Sequence, residues 1–275
     1  MVPVRVPGVP PFALHVHASN DKFISESLRK TGVWEPLETQ VVLALLRPGD
    51  GFVDLGANLG YYSVLSALRV GTRGSVLACE PDPVNFALLE RNLRSNAVPW
   101  VCAMRCAVSD SSGDAKLYTS ADNQGDHRLY DSGDGRAHTP TSVTTLDSLC
   151  AATAAQWHLI KLDTQGSEAR ILGGASKLSA LEGDRLCWIL EFWPFGLERS
   201  GVGWRALLRQ LSAFDAHLAL LDETEGRPRE TTLEHLSEMA AGGISPESGL
   251  FVNLAVVPRA QKEKWARVLA TEVKR

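Results

Sequence analysis

The feature that most constrains the fold is an alternation of short apolar segments with segments of helical periodicity, which continues from about residue 36 onwards. The apolar segments have too few polar side chains for strands with one exposed face. They predict strands at 52–55, 75–79, 104–108, 158–162, 186–192, 217–221 and 250–257. The helical spacing predicts the main helices at 37–46, 61–68, 83–93, 167–178 and 204–214. Such units build a mostly parallel sheet covered by helices on both faces, so we predict an α/β fold.

Two parts of the chain depart from this alternation. Residues 1–33 are rich in proline and glycine and predict an irregular N-terminal arm, whereas residues 34–275 have no linker composition or internal repeat and predict one domain. Within that domain, residues 114–145 predict two short strands around a long polar loop. A polar loop of this length in a compact domain is more often functional than idle. We therefore expect the inserted loop to lie over the acceptor at the ligand edge of the sheet.

Composition narrows the classes of partner. The chain has 275 residues, a net charge of −4, 44% hydrophobic and 22% charged residues, as in an ordinary soluble globular protein. Neither a nucleic acid nor an anionic membrane is an expected partner, because both favour a basic surface. The five cysteines form no C-x-x-C pair and the N-terminus has no apolar signal segment, which together predict a cytoplasmic protein with reduced thiols. We expect no metal site, since His15 and His17 have no third ligand nearby in the sequence.

The most informative motif is the glycine turn Gly56–Gly60, which directly follows the first predicted strand of the domain. Its G-x-x-x-G spacing matches neither a P-loop nor the G-x-G-x-x-G turn that binds a pyrophosphate. Asp54 at the end of the strand would repel a pyrophosphate but suits a positively charged group, such as the amino group of S-adenosylmethionine (SAM). Glu80 ends the next strand, where a carboxylate can accept both hydroxyls of a ribose. These residues predict a nucleoside ligand that carries a positive charge.

Five blocks that occur in order along the chain resemble the FkbM family of SAM-dependent methyltransferases. The blocks are VDLGANLGYYS, LACEPDPVNFALLERNLRSN, AVSD, TTLDSL and IKLDTQGSEARILGGA. The resemblance covers about residues 34–191 and implies a Rossmann-like class I methyltransferase fold, with a seven-stranded, mostly parallel sheet and an antiparallel last strand. It implies SAM as the cofactor and S-adenosylhomocysteine (SAH) as its product. It also implies methylation of a hydroxyl, often on a sugar or in a natural-product pathway.

The resemblance also implies roles for individual residues around SAM. The methionine end would be held by the glycine turn and its neighbours, the ribose by Glu80 and Pro81, and the adenine by Ser109 and Asp110. The residues implied at the methionine end are Glu35, Asp54, Gly56, Ala57, Asn58, Gly60, Tyr61 and Asp163. Many members have Val-Glu where this chain has Thr164-Gln165, so the family's glutamate has no counterpart here.

Two residues are candidates for the chemical step. Methyl transfer to a hydroxyl requires positioning of both reactants and a destination for the proton of the hydroxyl. Asp163 would lie beside the transferred methyl, either as a base or orienting group or as a carboxylate that only orders the cofactor. His127 in the polar loop titrates near neutrality and is the second catalytic candidate. The residues expected to bind the acceptor are Asn123, His127, Arg128, Glu191 and Trp193.

These observations predict a SAM-dependent O-methyltransferase acting on a small molecule or a glycosyl group. N-methylation of an amine or amide is the nearest alternative. An NAD(P)-dependent oxidoreductase is disfavoured by the glycine spacing, and a nucleic-acid methyltransferase is disfavoured by the charge. A non-catalytic nucleotide-binding module is a further alternative, because a cofactor site alone does not establish turnover. The sequence leaves the oligomeric state open, a homodimer included.

Overall fold

A computed structural model describes residues 1–19, 21–153, 155–242 and 251–273. The strands in these ranges are β1 (Val2–Val4), β2 (Phe12–Leu14), β3 (Gly51–Leu55), β4 (Ser75–Cys79), β5 (Val101–Met104), β6 (Ala107–Ser109), β7 (Gly113–Tyr118), β8 (His138–Thr145), β9 (Leu159–Leu162), β10 (Cys187–Phe192), β11 (Ala216–Leu221), β12 (Arg229–Thr231) and β13 (Val252–Pro258). The helices are α1 (Ile24–Thr31), α2 (Pro36–Leu45), α3 (Tyr61–Val70), α4 (Pro83–Ser95), α5 (Leu146–Ala151), α6 (Glu168–Gly173), α7 (Ser176–Glu182), α8 (Pro194–Arg199), α9 (Trp204–Leu211), α10 (Leu233–Ala241) and α11 (Lys262–Leu269).

The main sheet has the strand order β12-β11-β13-β10-β9-β3-β4-β5. Strands β10, β9, β3, β4 and β5 are parallel, and β13 lies antiparallel between β10 and β11. The predicted α/β, Rossmann-like class I methyltransferase fold with an antiparallel last strand is therefore confirmed. The sheet has eight strands instead of seven because the three-residue strand β12 pairs with β11 at its edge.

The central strand β3 shows why the sheet is covered on both faces. All five of its residues are buried, and successive side chains point to opposite faces. Phe52 belongs to a core cluster with residues of α2, α3 and α4, whereas Val53 and Leu55 belong to a second cluster with residues of α6 and α9. Two cores on opposite faces fix the sheet, and its carboxyl edge lies between them.

No helix among the described residues combines the length and apolarity that a membrane crossing requires.

The predicted strand 104–108 is wrong, because it spans a break between two sheets. Strand β5 ends at Met104, and the backbone N–H of Cys106 donates to the carbonyl of Met104, which closes a tight turn. The following strand β6 joins a separate three-stranded sheet of order β6-β8-β7. Strand β5 and the residues after it form one apolar run, VCAMRCAV, that only Arg105 interrupts, so the sequence pattern does not show where the strand of the main sheet ends.

The prediction of one helix over 167–178 is also wrong. Helix α6 ends at Gly173 and α7 begins at Ser176. A Cβ on Gly174 would lie 2.3 Å from the carbonyl oxygen of Ser109, so the chain approaches β6 closely at this point. A helical period cannot show this contact, because it depends on a strand distant in sequence.

The N-terminal arm is ordered, which differs from the irregular segment expected from its proline and glycine content. Strands β1 and β2 form an antiparallel hairpin, and α1 follows. Val4, Leu14 and Leu28 are fully buried in the same core cluster as Phe52. The arm is thus part of the packed structure, and its prolines and glycines lie mainly in the connections between these elements.

Candidate functional site

A cavity lies where strands β3, β4 and β9 end at the carboxyl edge of the sheet. Six of the predicted site residues line it, and they come from the glycine turn, the end of β4, the end of β9 and the inserted loop. These residues are Gly56, Asn58, Glu80, Pro81, His127 and Asp163. Parallel strands bring these segments together although they are far apart in sequence.

The glycine turn is shaped by close backbone contacts. Gly56 has φ 83°, and a Cβ there would lie 2.0 Å from the carbonyl oxygen of Asp163. Gly60 has φ 91° and immediately precedes α3. Asn58 also has a left-handed backbone, and its N–H donates to Glu80 Oε2 over 2.8 Å. The turn therefore brings the ends of β3, β4 and β9 together at one point.

Glu80 is buried beneath this turn. Its second carboxylate oxygen, Oε1, accepts the backbone N–H of Asp82 at 2.9 Å. Burial raises the pKa of Glu80 to about 8. The Asn85 side chain is a further hydrogen-bond partner of Glu80, and a lone pair that remains on the carboxylate can accept a hydrogen bond from a ligand hydroxyl. Asp82 caps α4 through the N–H groups of Val84 and Asn85, as its sequence position before Pro83 indicated.

Asp163 is held by two donors at the end of β9. Lys161 Nζ lies 3.1 Å from Asp163 Oδ2 and 3.2 Å from Glu38 Oε1. Burial alone would lower the pKa of Lys161, but Asp163, Glu38 and nearby carboxylates raise it well above its usual range, so this side chain is charged. Gln165 Nε2 donates to Asp163 Oδ1 at 3.1 Å and to Glu191 Oε2 at 3.2 Å. The carboxylate of Asp163 is thus fixed in orientation.

This edge of the sheet carries more carboxyl groups than its one buried lysine can neutralise. Desolvation and neighbouring carboxylates raise the pKa values of Glu35 and Glu191 well above their ordinary value. Burial raises the pKa of Asp54 to about 6 and that of Glu168 to about 7. A cationic ligand group would stabilise the ionised form of each of these groups.

Several residues predicted at the methionine end lie beside the cavity and do not line it. Asp54 is fully buried and accepts a hydrogen bond from Ser63 Oγ at 2.6 Å. Glu35 accepts hydrogen bonds from Tyr62 and Asn253 at 3.0 and 3.2 Å. Ala57, Gly60 and Tyr61 are also buried outside the lining. Direct contacts of these five residues with SAM stay predictions.

The structure does not bring Ser109 and Asp110 to the cavity. Both line a separate surface depression, where Asp110 Oδ2 lies 3.1 Å from Arg170 Nη1. The corresponding wall of the cavity is formed by 106–108 instead. Ser109 and Asp110 lie away from the cavity because β6, which ends at Ser109, belongs to the separate three-stranded sheet. Contact of these two residues with the adenine stays a prediction.

The inserted loop closes one side of the cavity, and contact between this loop and the acceptor stays a prediction. The side-chain amides of Asn58 and Asn85 donate to the carbonyl of Gln124 at 2.7 and 3.0 Å. His127 lines the cavity, and its Nδ1 accepts the backbone N–H of Ser120 at 3.2 Å. This hydrogen bond leaves Nε2 as the nitrogen that carries the proton in the neutral ring. His127 is therefore arranged as a donor, which does not suit the proton-accepting role expected from the sequence.

The other predicted acceptor-binding residues have partners within the protein. Asn123 Oδ1 accepts the N–H of Gly125, and Arg128 donates twice to Asp126 at 2.7 and 2.9 Å. The Arg128 guanidinium lies 4.9 Å from the centre of the Trp193 ring, so these two side chains pack together. None of Asn123, Arg128, Trp193 and Glu191 lines the cavity, and acceptor binding by them stays a prediction.

Sequence reasoning missed the residues that support Asp163. Lys161 was detectable, because a lysine within the apolar strand IKLD is buried only with a charged partner. Its second partner Glu38 and the bridging Gln165 had no comparable signal.

Within the described ranges, no group of three or more His, Cys, Asp and Glu side chains is arranged to hold a metal ion.

The chain is similar to known methyltransferases. Residues 54–223, more than half of the chain, match the family described as the methyltransferase FkbM domain. Methyltransferase sdnD of Sordaria araneosa is 42% identical over 72 residues, which are 26% of this chain and 27% of that protein. The 31-O-demethyl-FK506 methyltransferase FkbM of Streptomyces tacrolimicus is 45% identical over 71 residues, 25% of each chain.

These curated relatives thus match over about a quarter of their own length. Among solved structures, methyltransferase FkbM from Methylobacillus flagellatus KT aligns with a TM-score of 0.45 and 15% identity, over 88% of this chain and 48% of that one. Because the family match covers more than half of the chain, the chain belongs to the FkbM methyltransferase domain family.

Proposed function

We propose that this protein is a cytoplasmic, SAM-dependent methyltransferase that transfers a methyl group to a hydroxyl of a small molecule or sugar, in natural-product or glycan biosynthesis. The observation that carries the proposal is the cavity at the carboxyl edge, bounded by the glycine turn, Glu80 and Asp163. Family membership supports methyl transfer as the reaction class.

The residues present fit SAM. The cavity lies at the carboxyl edge of the parallel strands, where ligands of open α/β sheets bind. Glu80 has a remaining lone pair for a ribose hydroxyl, and Val108, Leu117 and Leu129 offer apolar walls for a base. The surplus of carboxyl groups around Lys161 favours a ligand with positive charge.

In this proposal the protein acts mainly by positioning. Bound SAM would supply a methyl group on a positively charged sulfur, which makes that carbon electrophilic. Asp163 accepts a hydrogen bond from the acceptor hydroxyl and takes its proton as the new carbon–oxygen bond forms; the electron pair of the broken carbon–sulfur bond would stay on the sulfur, which gives SAH. Lys161 and Gln165 keep the Asp163 carboxylate in one orientation, so little reorganisation is needed during the step.

The carboxylate-rich edge favours an oxygen acceptor over a nitrogen acceptor. An amine must lose its proton before its lone pair can attack a methyl group. Nearby carboxylates stabilise the protonated amine and raise its pKa, so they oppose that loss. A hydroxyl is uncharged before the reaction and does not meet this obstacle.

Calorimetry with SAM and SAH tests the proposal directly. We expect wild-type protein to bind both, and Asp163→Asn to retain SAH affinity within about threefold while its turnover falls about 100-fold. Asp114→Asn removes an exposed carboxylate and should change neither value. Mass spectrometry and NMR of products from a panel of hydroxyl and amine acceptors identify the methylated atom. No binding of SAM or SAH, or binding of NADH in their place, would refute the proposal.

A further inference from the structure

His127 places an unpartnered hydrogen-bond donor in the cavity. The ring lines the cavity, and its Nε2 atom is buried without a hydrogen-bond partner in the protein. Burial lowers the pKa of His127, so the ring is neutral at pH 7. Because Nδ1 accepts the N–H of Ser120, the proton of the neutral ring is on Nε2. A buried N–H without an acceptor is costly, and a ligand acceptor would remove that cost.

The surroundings of His127 place it at the nucleoside end of the cavity. Burial lowers the pKa of His127, the carboxylates of Asp82 and Asp126 raise it, and Arg136 lowers it. Asp82 directly follows the Glu80-Pro81 segment that we assign to the ribose. Apolar side chains of 106–108, Leu117 and Leu129 form the walls of the cavity.

The loop holds His127 in place from two sides. Asn58 and Asn85 bind the carbonyl of Gln124, three residues before His127. On the other side, Arg128 and Arg136 both donate to the carboxylate of Asp126. An imidazole fixed at both flanks can select a ligand by the position of its acceptor atom.

We propose that His127 binds the adenine base of SAM by donating its Nε2 proton to a ring nitrogen, and that it determines specificity for the cofactor. A purine ring offers flat apolar faces to the walls and acceptor nitrogens at its edge, which matches this combination of groups. The inference rests on the proposed function, since it requires that SAM occupies the cavity. It replaces a catalytic role for His127 with a binding role.

Calorimetry with SAH and its deaza analogues, in which one adenine ring nitrogen is replaced by C–H, tests this inference. Wild-type protein should bind SAH and lose about tenfold affinity for one of the 1-, 3- and 7-deaza analogues. His127→Ala should bind SAH about tenfold more weakly and no longer distinguish that analogue. His127→Gln, which retains an N–H donor, should recover SAH affinity to within about threefold of wild type. His235→Ala, on the exposed surface of α10, is the matched control.

Steady-state kinetics separate the binding role from a catalytic one. We expect His127→Ala to raise the KM for SAM about tenfold with kcat within about twofold of wild type. A large fall in kcat with unchanged SAH affinity would overturn the inference, and so would equal binding of all deaza analogues by the wild type. Failure of wild-type protein to bind SAH would instead refute the proposed function.

Discussion

Glu80 has a very different environment in the folded protein from that in the unfolded chain. Burial raises its pKa from an ordinary value of 4.5 to about 8, and the same effect raises the pKa of Asp54 from 3.8 to about 6. For an acid whose pKa is higher in the folded state, the folded protein binds more protons between the two values. The free energy of unfolding therefore decreases as the pH rises through this window.

The first prediction is that the free protein loses stability as the pH rises from about 5 to about 8 and that Glu80→Gln makes this dependence shallower, while the contribution of Asp54 and the other buried carboxyl groups remains. A pKa unit corresponds to about 1.4 kcal/mol, so the rise from 4.5 to about 8 sets an upper limit of about 5 kcal/mol on the change in unfolding free energy attributable to Glu80. Urea unfolding at several pH values measures it. Glu90→Gln, on the exposed face of α4, is the control and should keep the wild-type slope. The slope is the readout because glutamine also changes the hydrogen bonds with Asn58 and Asp82. A wild-type slope in Glu80→Gln would contradict the assignment.

At the scale of elements, the turn between β3 and α3 depends on one close approach. Gly56 and Gly49 have nearly the same positive φ, 83° and 93°. A Cβ on Gly56 would lie 2.0 Å from the Asp163 carbonyl oxygen, whereas a Cβ on Gly49 would have no neighbour within 4 Å. The pair therefore separates the cost of a left-handed backbone from the cost of a collision.

We expect Gly49→Ala to lower the free energy of unfolding by about 1–2 kcal/mol, the cost of a left-handed residue with a side chain. Gly56→Ala should lower the free energy of unfolding clearly more than Gly49→Ala does, because the end of β9 must also move to make room for the new Cβ. It should also weaken SAH binding at least tenfold, since the shift displaces the lining of the cavity. Chemical denaturation and calorimetry measure the two effects. Equal losses of stability in the two variants would show that the close approach of Gly56 to the Asp163 carbonyl does not affect the free energy of unfolding.

The elements that local signals define were predicted well. Helix α4 follows from Asp82 and Pro83, and the β3 turn follows from an apolar strand with glycines directly after it. The break between β5 and β6 and the end of α6 at Gly173 were not predicted, because both depend on contacts between distant segments. In the candidate site, too, contacts between distant segments were not predictable from the sequence. Glu80 and Asp163 were identifiable as strand-end carboxylates, whereas the pairing of Lys161 with Glu38 requires α2 to pack beside β9.

At the scale of the whole molecule, Asn92 connects the N-terminal arm to the candidate site. This fully buried side chain in α4 accepts the N–H of His15 at 2.7 Å and donates to its carbonyl at 2.9 Å. The same amide donates to the carbonyl of Leu59, within the glycine turn, at 2.7 Å. Asn96, one helical turn later, also binds the arm through both backbone groups of Ala13 but does not contact the turn.

These two asparagines test whether the arm acts only on stability or also on the site. We expect Asn92→Ala to lower the free energy of unfolding by about 2–4 kcal/mol, because it leaves buried backbone groups of the arm and the turn without partners. Asn96→Ala should lower the free energy of unfolding less, because Asn96 is half-buried whereas Asn92 is fully buried. The Asn92 variant should also bind SAH several-fold more weakly, since Leu59 is released, whereas the Asn96 variant should bind it like wild type. Equal SAH affinities in the two variants would mean that the arm stabilises the fold without shaping the turn.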